Sequence, residues 1–190
     1  MIFVVTGGSG SGKSEYAENL AMTLGEKRIY IATMQVYGEE GRQRVARHRK
    51  MREGKQFVTV ECPVNLERLV SDGQCPEGLG ARADDEQCHS LLDGSVVLLE
   101  CMSNLAANEM FSVGGGAEAV QQRILAGVNT LQQHCAHLVI VTNEVFSDGI
   151  IYDPETMEYI RCLGMINGAL AGMADQVTEV VCGIPVSVKG

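Results

Sequence analysis

The segment that most restricts how this chain can fold is GGSGSGKS at residues 7–14. It follows a short apolar run of strand composition, IFVVT at 2–6, and precedes a helix-forming run that Gly25 can end. The octapeptide matches the phosphate-binding motif G-x-x-x-x-G-K-[ST] in the strand–loop–helix context that this motif requires. A nucleoside triphosphate is therefore expected to bind at this loop.

Each residue type in the loop has a physical reason to be there. Glycines let the backbone wrap closely and turn its N–H groups inward, and the following helix adds the positive end of its dipole. Lys13 would place a point charge on the outer phosphates, and the Ser14 hydroxyl would bind Mg²⁺. A glycine-serine turn that matches the motif by chance is the alternative interpretation.

Strand-like and helix-like runs alternate along the rest of the chain. The strands predicted after the first cover residues 28–33, 56–61, 95–101, 138–144, 176–183 and 185–189, the last two as a possible hairpin. The helices predicted after the first cover residues 39–53, 65–70, 102–111, 117–134 and 154–174.

Apolar runs that do not alternate in polarity are typical of a parallel sheet covered on both faces. The fold predicted is therefore α/β, a P-loop NTPase-like three-layer sandwich with a mostly parallel central sheet. With no linker and no internal repeat, residues 1–190 are expected to form a single domain. Residues 72–94 interrupt the pattern, being rich in Gly, Asp, Glu and Cys, and a surface insertion is predicted there.

Composition narrows the class of protein. The net charge of −9 argues against general affinity for nucleic acid. No apolar run approaches the roughly 20 residues of a membrane-spanning helix, and the N-terminus lacks the basic start of a secretory signal. Seven scattered cysteines without a CxxC pair indicate reduced thiols rather than a zinc site or a disulfide framework. A cytoplasmic protein is the expectation.

Positive charge is concentrated around one histidine. Seven of the 15 Lys and Arg residues fall within residues 42–55, and His48 lies among them. In a helix, Arg44, His48 and Arg52 would share one face, where like charges repel unless an anion is bound. Neighbouring cations would also keep the imidazole neutral, with a lone pair available for nucleophilic attack on phosphorus. The alternative is a solvated basic helix on which His48 is incidental.

A carboxylate on the metal side of the loop should lie at the end of a nearby buried strand. Glu100 ends the run VVLLE and is the candidate to share Mg²⁺ with Ser14. The alternative is a strand-end carboxylate that faces solvent.

Several further segments make a larger pattern. They are YIAT at 30–33, RVARHR at 44–49, VE at 60–61, LLEC at 98–101, VTNEV at 141–145 and the C-terminal run IRCLGMINGALAGMADQVTEVVCGIPVSVK. Together with GGSGSGKS, they resemble the bifunctional adenosylcobinamide kinase / adenosylcobinamide-phosphate guanylyltransferase family of cobalamin biosynthesis, nearly from end to end. RVARHR and VTNEV with the phosphate loop are much more specific than the loop alone.

The resemblance implies two reactions. A nucleoside triphosphate, GTP or ATP, phosphorylates the aminopropanol hydroxyl of adenosylcobinamide. GTP then guanylylates the active-site histidine, which by position is His48, and GMP passes to adenosylcobinamide phosphate to give adenosylcobinamide-GDP. The resemblance also implies Mg²⁺ and a homo-oligomer, often a trimer, with the nucleotide near a subunit interface.

The same resemblance assigns site residues by position. It places His48 and Lys13 in catalysis, and Ser14 and Glu100 at the metal. The nucleotide contacts that it implies are Gly7, Gly8, Ser9, Gly10, Ser11, Gly12, Lys13, Ser14, Ala32, Thr33, Met34, Arg49, Lys50, Met51, Arg52, Glu61 and Glu100.

The chain departs from the family pattern in two places. The family loop usually has an arginine where this chain has Gly10, which would weaken contact with phosphate or substrate and affect the kinase step most. The stretch 72–94 is longer and more irregular than the family's. Asn143 and Glu144 end a buried strand beside the expected cleft, where a substrate or metal role and a structural role are both open.

Two other functions are compatible with the phosphate loop. One is a small-molecule kinase that passes the γ-phosphoryl group directly, without nucleotidyl transfer. The other is a nucleotide-binding regulatory module whose basic helix docks on an acidic partner or on RNA, although the net charge and the lack of interleaved aromatic residues speak against RNA. Neither would leave GMP covalently bound to His48.

Overall fold

The computed structural model describes residues 1–35, 38, 54–71 and 91–190. The strands in these ranges are β1 (Ile2–Thr6), β2 (Arg28–Ala32), β3 (Phe57–Glu61), β4 (Val96–Glu100), β5 (His137–Val141), β6 (Gln176–Val181) and β7 (Ile184–Lys189). The α-helices are α1 (Lys13–Leu24), α2 (Arg68–Ser71), α3 (Met102–Asn108), α4 (Ala117–His134) and α5 (Pro154–Met173). The predicted helix over 39–53 and residues 72–90 of the predicted insertion lie outside the described residues.

The strands form one sheet in the order β3-β2-β4-β5-β1-β6-β7. Neighbouring strands are parallel except β6 and β7, which pair antiparallel. The predictions of a mostly parallel sheet and of a C-terminal hairpin are confirmed. Because β1 lies between β5 and β6, the phosphate loop that follows it emerges from the interior of the sheet rather than from an edge.

Helices cover both faces of the sheet. Alternate residues of a strand point to opposite faces: Val5 joins an apolar cluster with Ala17 of α1, while Val4 joins a separate cluster with Val128 of α4 and Leu163 of α5. All five residues of β4 are buried, which explains why VVLLE shows no polar alternation. The predicted three-layer sandwich is therefore confirmed.

A tight turn joins β6 to β7 at the C-terminal end of the chain. Cys182 and Gly183 have φ of 51° and 80°, the left-handed conformations that a short hairpin turn requires. The N–H of Gly183 donates to the carbonyl oxygen of Ser11 at 2.8 Å, so the turn contacts the phosphate loop. All six residues of β7, an edge strand, are exposed.

Two predicted helices differ in detail. The α-helix predicted over 102–111 ends at Asn108 and continues as a π-helical turn, Glu109–Val113. The buried Glu109 carboxylate accepts a hydrogen bond from the Asn65 N–H and pairs with Arg123 at 2.9 Å. Asn65 itself has φ of 55°, and the helix predicted from residue 65 begins only at Arg68. None of the described helices has the length and apolar character needed to cross a membrane.

Candidate nucleotide-binding site

The phosphate loop runs from the end of β1 to Gly12, directly before α1. A β-carbon on Gly7 would lie 2.5 Å from the Val180 carbonyl oxygen and 2.6 Å from Ser11 Oγ, so packing against β6 restricts this position to glycine. Gly12 has φ of 92°, which also favours glycine. The glycines of the motif are therefore required by the fold of the loop as well as by the approach of a ligand.

Lys13 is buried at the start of α1, with 8% of its surface exposed. Its Nζ donates to the Gly8 carbonyl oxygen at 2.9 Å. Burial lowers the pKa of the Lys13 ammonium below its usual value, while Cys101 and Glu100 act in the opposite direction. A cation that has lost most of its water gains more from an incoming anion than an exposed one. This geometry suits phosphate binding.

Ser14 and Glu100 meet although 86 residues separate them in the chain. The Ser14 hydroxyl donates to Glu100 Oε1 at 2.5 Å, and the Glu100 carboxylate is 8% exposed at the end of β4. The carboxylate therefore faces the phosphate loop and not solvent.

This pair fits Mg²⁺ in its chemistry. Mg²⁺ prefers oxygen ligands, and nucleotide enzymes bind it through one or two protein side chains plus phosphate oxygens and water. Within the described ranges, no group of three or more His, Cys, Asp and Glu residues is arranged to hold a metal. The Ser14 hydroxyl and the Glu100 carboxylate are thus the oxygen donors that the structure places next to Lys13. Their role in binding metal stays a prediction.

The ends of the parallel strands form a single row beside the loop. Glu61, Ala32, Glu100 and Val141 are register neighbours on β3, β2, β4 and β5. Val141 in turn pairs with Val5, shortly before the loop begins. Ligands of open α/β sheets bind at such carboxyl ends. The structure thus brings the predicted residues Ala32, Glu61 and Glu100 to the carboxyl end of the sheet, where the phosphate loop also begins.

Thr33 has a structural place in this arrangement. Its side chain is fully buried, and its Oγ1 both donates to the Cys101 carbonyl oxygen and accepts from the Cys101 N–H, each at 2.8 Å. Asn108 Nδ2 donates to the Thr33 carbonyl oxygen at 2.8 Å. Thr33 therefore fixes the chain after Glu100, whereas Met34 beside it is only partly buried.

The segment after β5 joins the phosphate loop to the chain that follows Glu100. Asn143 Nδ2 donates to Ser103 Oγ at 2.6 Å, and Ser103 Oγ lies 3.0 Å from Cys101 Sγ. The Glu144 N–H donates to the Gly7 carbonyl oxygen at 3.1 Å. The sequence analysis assigned no role to Ser103, or to Cys101 beyond its place in LLEC. Their place just after a buried strand was the signal that could have found them.

The whole chain also resembles characterised proteins. The family model for cobinamide kinase / cobinamide phosphate guanyltransferase matches residues 3–79 and 81–188. The chain belongs to this family. Its members are transferases, so the sequence-based predictions of the family and of an enzyme of that class are confirmed.

Curated relatives match this family member over their full length. The bifunctional adenosylcobalamin biosynthesis protein CobU of Escherichia coli strain K12 is 33% identical, and that of Salmonella typhimurium is 30% identical, each covering 100% of both chains. Among solved structures, the flagellar accessory protein FlaH from Methanocaldococcus jannaschii is 11% identical with a TM-score of 0.48, covering 99% of this chain and 77% of that one. A likeness this distant adds nothing to what the sheet topology establishes.

The predicted nucleophile and the basic residues beside it were assigned from sequence alone. His48, Arg49, Lys50, Met51 and Arg52 are outside the described residues. Their roles stay predictions from sequence.

Lys55, the last of the seven clustered cations, is described and has a structural partner. Its Nζ lies 2.6 Å from Oε2 of Glu18, a fully buried residue of α1. The Lys55 carbonyl oxygen accepts from Arg28 at 2.9 Å. These contacts tie the chain just before β3 to α1 and β2, so Lys55 serves the fold and is not held ready for an anion.

Proposed function

We propose that this protein phosphorylates the aminopropanol hydroxyl of adenosylcobinamide and then transfers GMP from GTP to the product, giving adenosylcobinamide-GDP. The observation that carries the proposal is the contact of Ser14 with Glu100 beside the buried Lys13, in a chain that matches the cobinamide kinase / cobinamide phosphate guanyltransferase family over nearly its whole length. The relatives from Escherichia coli and Salmonella typhimurium are named as bifunctional proteins, which supports two activities in one chain.

In the kinase step the phosphate loop would bind the nucleotide. Its backbone N–H groups and Lys13 would hold the phosphates, and Ser11 Oγ, buried and without a hydrogen-bond partner among the described residues, would be available to them. Ser14 and Glu100 would hold Mg²⁺, which supplies positive charge to the phosphate oxygens when bound. The substrate hydroxyl oxygen forms a bond to the γ-phosphorus, the bond to the leaving diphosphate breaks, and the hydroxyl proton passes to solvent or a base.

In the guanylyl step His48 would act as the nucleophile. A neutral imidazole nitrogen attacks the α-phosphorus of GTP, an N–P bond forms and pyrophosphate leaves. The phosphate oxygen of adenosylcobinamide phosphate then attacks the same phosphorus and releases the imidazole. The cations around His48 in the sequence would offset the charge that develops on the phosphoryl oxygens.

The remaining expectations from sequence are part of the proposal. GTP as the guanylyl donor, ATP or GTP for the kinase step, Mg²⁺, a homo-oligomer and a cytoplasmic location are carried by the family resemblance. A P-loop kinase without nucleotidyl transfer and a non-catalytic nucleotide-binding module remain the competing functions. Both differ from the proposal in leaving no covalent mark on His48.

The experiment is a labelling reaction with Mg²⁺ and GTP that carries its label on the α-phosphate. Wild type, His48→Asn and, as a control, His134→Asn are incubated and denatured, and label on the chain is measured. We expect acid-labile, alkali-stable label on wild type and His134→Asn, and none on His48→Asn. Absence of label from wild type that binds GTP would exclude guanylyl transfer, and transfer of γ-phosphate to adenosylcobinamide would then separate a kinase from a binding module.

A further inference from the structure

A cleft opens beside the phosphate loop, between the segment after β5 and the first half of α5. Its volume is about 420 Å³, within the range of small-molecule sites. The residues that line it are Glu144, Val145, Ser147, Asp148, Tyr152, Thr156, Tyr159 and Ile160. None of these residues has a part in the nucleotide site described above except Glu144, which borders it.

The cleft lies close to where a phosphoryl group would be transferred. Glu144 lines it, and the Glu144 N–H donates to the carbonyl oxygen of Gly7 at 3.1 Å. Tyr159 lines it too, and its hydroxyl donates to the Ser103 carbonyl oxygen at 3.2 Å, three residues beyond Glu100. A molecule in the cleft would therefore be next to both sides of the phosphate site, as an acceptor for phosphoryl transfer must be.

Two carboxylates line the cleft, and hydrogen bonds from neighbouring residues hold each of them in place. Glu144 Oε1 accepts from the Phe146 N–H and from the Ser147 hydroxyl, at 2.8 and 2.9 Å. Asp148 accepts from the Ile150 N–H and from the Tyr152 hydroxyl, at 3.0 and 2.5 Å. The Tyr152 hydroxyl, with the Ile150 N–H, holds the pKa of Asp148 below its usual value. Each carboxylate has acceptor positions left for ligand N–H groups.

Four exposed apolar residues lie between or next to the lining residues in the chain, and we call them the apolar shelf: Phe146, Ile150, Ile151 and Met157. They are 43%, 58%, 93% and 44% exposed. All four are sequence neighbours of lining residues, on the same loop or the first turn of α5. Large apolar side chains gathered at one place on a surface mark a binding site more often than isolated ones do.

We propose that this cleft and its apolar shelf bind the cobinamide substrate, an inference that rests on the proposed function. A corrin carries primary amides and methyl groups around its rim, and its cobalt centre leaves it with net positive charge. Amide N–H groups match the carboxylates of Glu144 and Asp148, and methyl groups match the apolar shelf. The ring is larger than the cleft, so one amide-bearing edge enters it while the ring lies over Ile150 and Ile151. The aminopropanol hydroxyl is thereby directed toward the phosphate loop.

The test measures binding of adenosylcobinamide by equilibrium dialysis, with the absorbance of the corrin as readout. The proteins are wild type, Ile151→Lys, Asp148→Asn and Val188→Lys. Val188 is the matched control, because it is also an exposed aliphatic residue, 62% exposed, but lies on β7 away from the cleft. Since Ile151 is 93% exposed, its replacement leaves the core intact. GTP affinity and molecular mass in solution are measured for all four proteins.

We expect Ile151→Lys to weaken adenosylcobinamide binding about tenfold, through lost apolar contact and added like charge, and Asp148→Asn about threefold. Val188→Lys should bind it like wild type, and all four should bind GTP equally. If wild type binds adenosylcobinamide and both cleft variants bind it equally well, the cleft assignment is wrong while the proposed function stands. If wild type binds GTP but no adenosylcobinamide, both are wrong. A change of mass in Ile151→Lys alone would instead assign the shelf to a second copy of the chain.

Discussion

The N–H of Gly183 donates a hydrogen bond to the carbonyl oxygen of Ser11 at 2.8 Å. This contact joins the turn of the C-terminal hairpin to the phosphate loop near the other end of the chain. On the same hairpin, the Val180 carbonyl oxygen lies 2.5 Å from the position that a β-carbon of residue 7 would take. The conformation of the phosphate loop is therefore set partly by a hairpin that the motif does not include.

Replacing Gly7 by alanine should destabilise the protein. The added β-carbon would meet the Val180 carbonyl oxygen at 2.5 Å, and backbone must shift to relieve the contact. We expect Gly7→Ala to lower the free energy of unfolding by about 1–3 kcal/mol. Gly8→Ala is the matched control, since a β-carbon there meets nothing within 4 Å, and it should stay within about 0.5 kcal/mol of wild type. Urea denaturation of the nucleotide-free proteins measures both, and equal losses would contradict the steric explanation.

Replacing Glu100 by glutamine should impair turnover and not folding. The carboxylate that Ser14 contacts at 2.5 Å would lose the charge that we assign to Mg²⁺ binding. We expect kcat of the kinase step to fall about a hundredfold and the Mg²⁺ concentration for half-maximal rate to rise. Glu26→Gln, an exposed carboxylate beyond α1, is the control and should behave like wild type. A Glu100→Gln protein with wild-type Mg²⁺ dependence would refute the metal assignment.

Removing one partner of the ion pair between Glu18 and Lys55 should lower the unfolding free energy more than replacing both partners with apolar residues. Glu18 is fully buried, so Lys55→Met would leave its carboxylate without the cation at 2.6 Å. We expect this variant to lose about 3 kcal/mol of unfolding free energy. A double variant, Glu18→Leu with Lys55→Met, should recover most of that loss, because no buried charge remains. Chemical denaturation of wild type, the single variant and the double variant measures these differences in unfolding free energy. A double variant as unstable as the single one would show that the loss comes from packing and not from the unpaired charge.

Stability should fall at alkaline pH, in part because of Cys62. Burial, followed by the negative charge of Glu109, raises the pKa of the Cys62 thiol from 9.0 to about 12. Above pH 9 the unfolded chain releases this proton while the folded chain keeps it. The stability that the thiol contributes is therefore complete below pH 9 and is lost as the pH rises toward 12.

The measurement compares wild type with Cys62→Ala by urea denaturation at about pH 8.5 and 10.5. We expect the unfolding free energy of wild type to fall more steeply, by up to about 1.4 kcal/mol for each pH unit in this window. Cys135 and Tyr159, whose pKa values burial raises to about 11 and about 12, contribute equally to both proteins. Parallel pH profiles for the two proteins would show that Cys62 does not titrate as described.

Much of the fold could be predicted because its signals are local. The apolar runs of β1, β4 and β5 identified strands buried on both faces, and their bounds agree with the structure within a few residues. The strand order could not be predicted, because β1 pairs with β5 and β6, which come more than a hundred residues later in the chain. The π-helical turn after Asn108 was missed for the same reason, since Glu109 bonds Asn65 and Arg123 from other elements.

The candidate site also has a part that could be predicted from the sequence and a part that could not. The motif predicted Lys13 and Ser14 with their chemistry, and strand composition selected Glu100. Three features of the site depend on contacts between distant segments and could not be predicted. They are the hydrogen bond from Ser14 to Glu100, the hydrogen bond from Thr33 to Cys101 and the ion pair of Lys55 with Glu18. The cleft beside Glu144 had no signal in the sequence beyond the end of a buried strand.

By itself, the sequence determined that this chain is a P-loop α/β protein with a parallel sheet and which family it belongs to. These properties depend on residue type and on spacing along the chain, so they can be read without knowing which residues are in contact. Only the tertiary structure decided that the predicted carboxylate, Glu100, contacts Ser14 instead of facing solvent, and that an acidic cleft opens beside the phosphate loop. Both depend on strand order and register, which place side chains 86 residues apart within a hydrogen bond of each other.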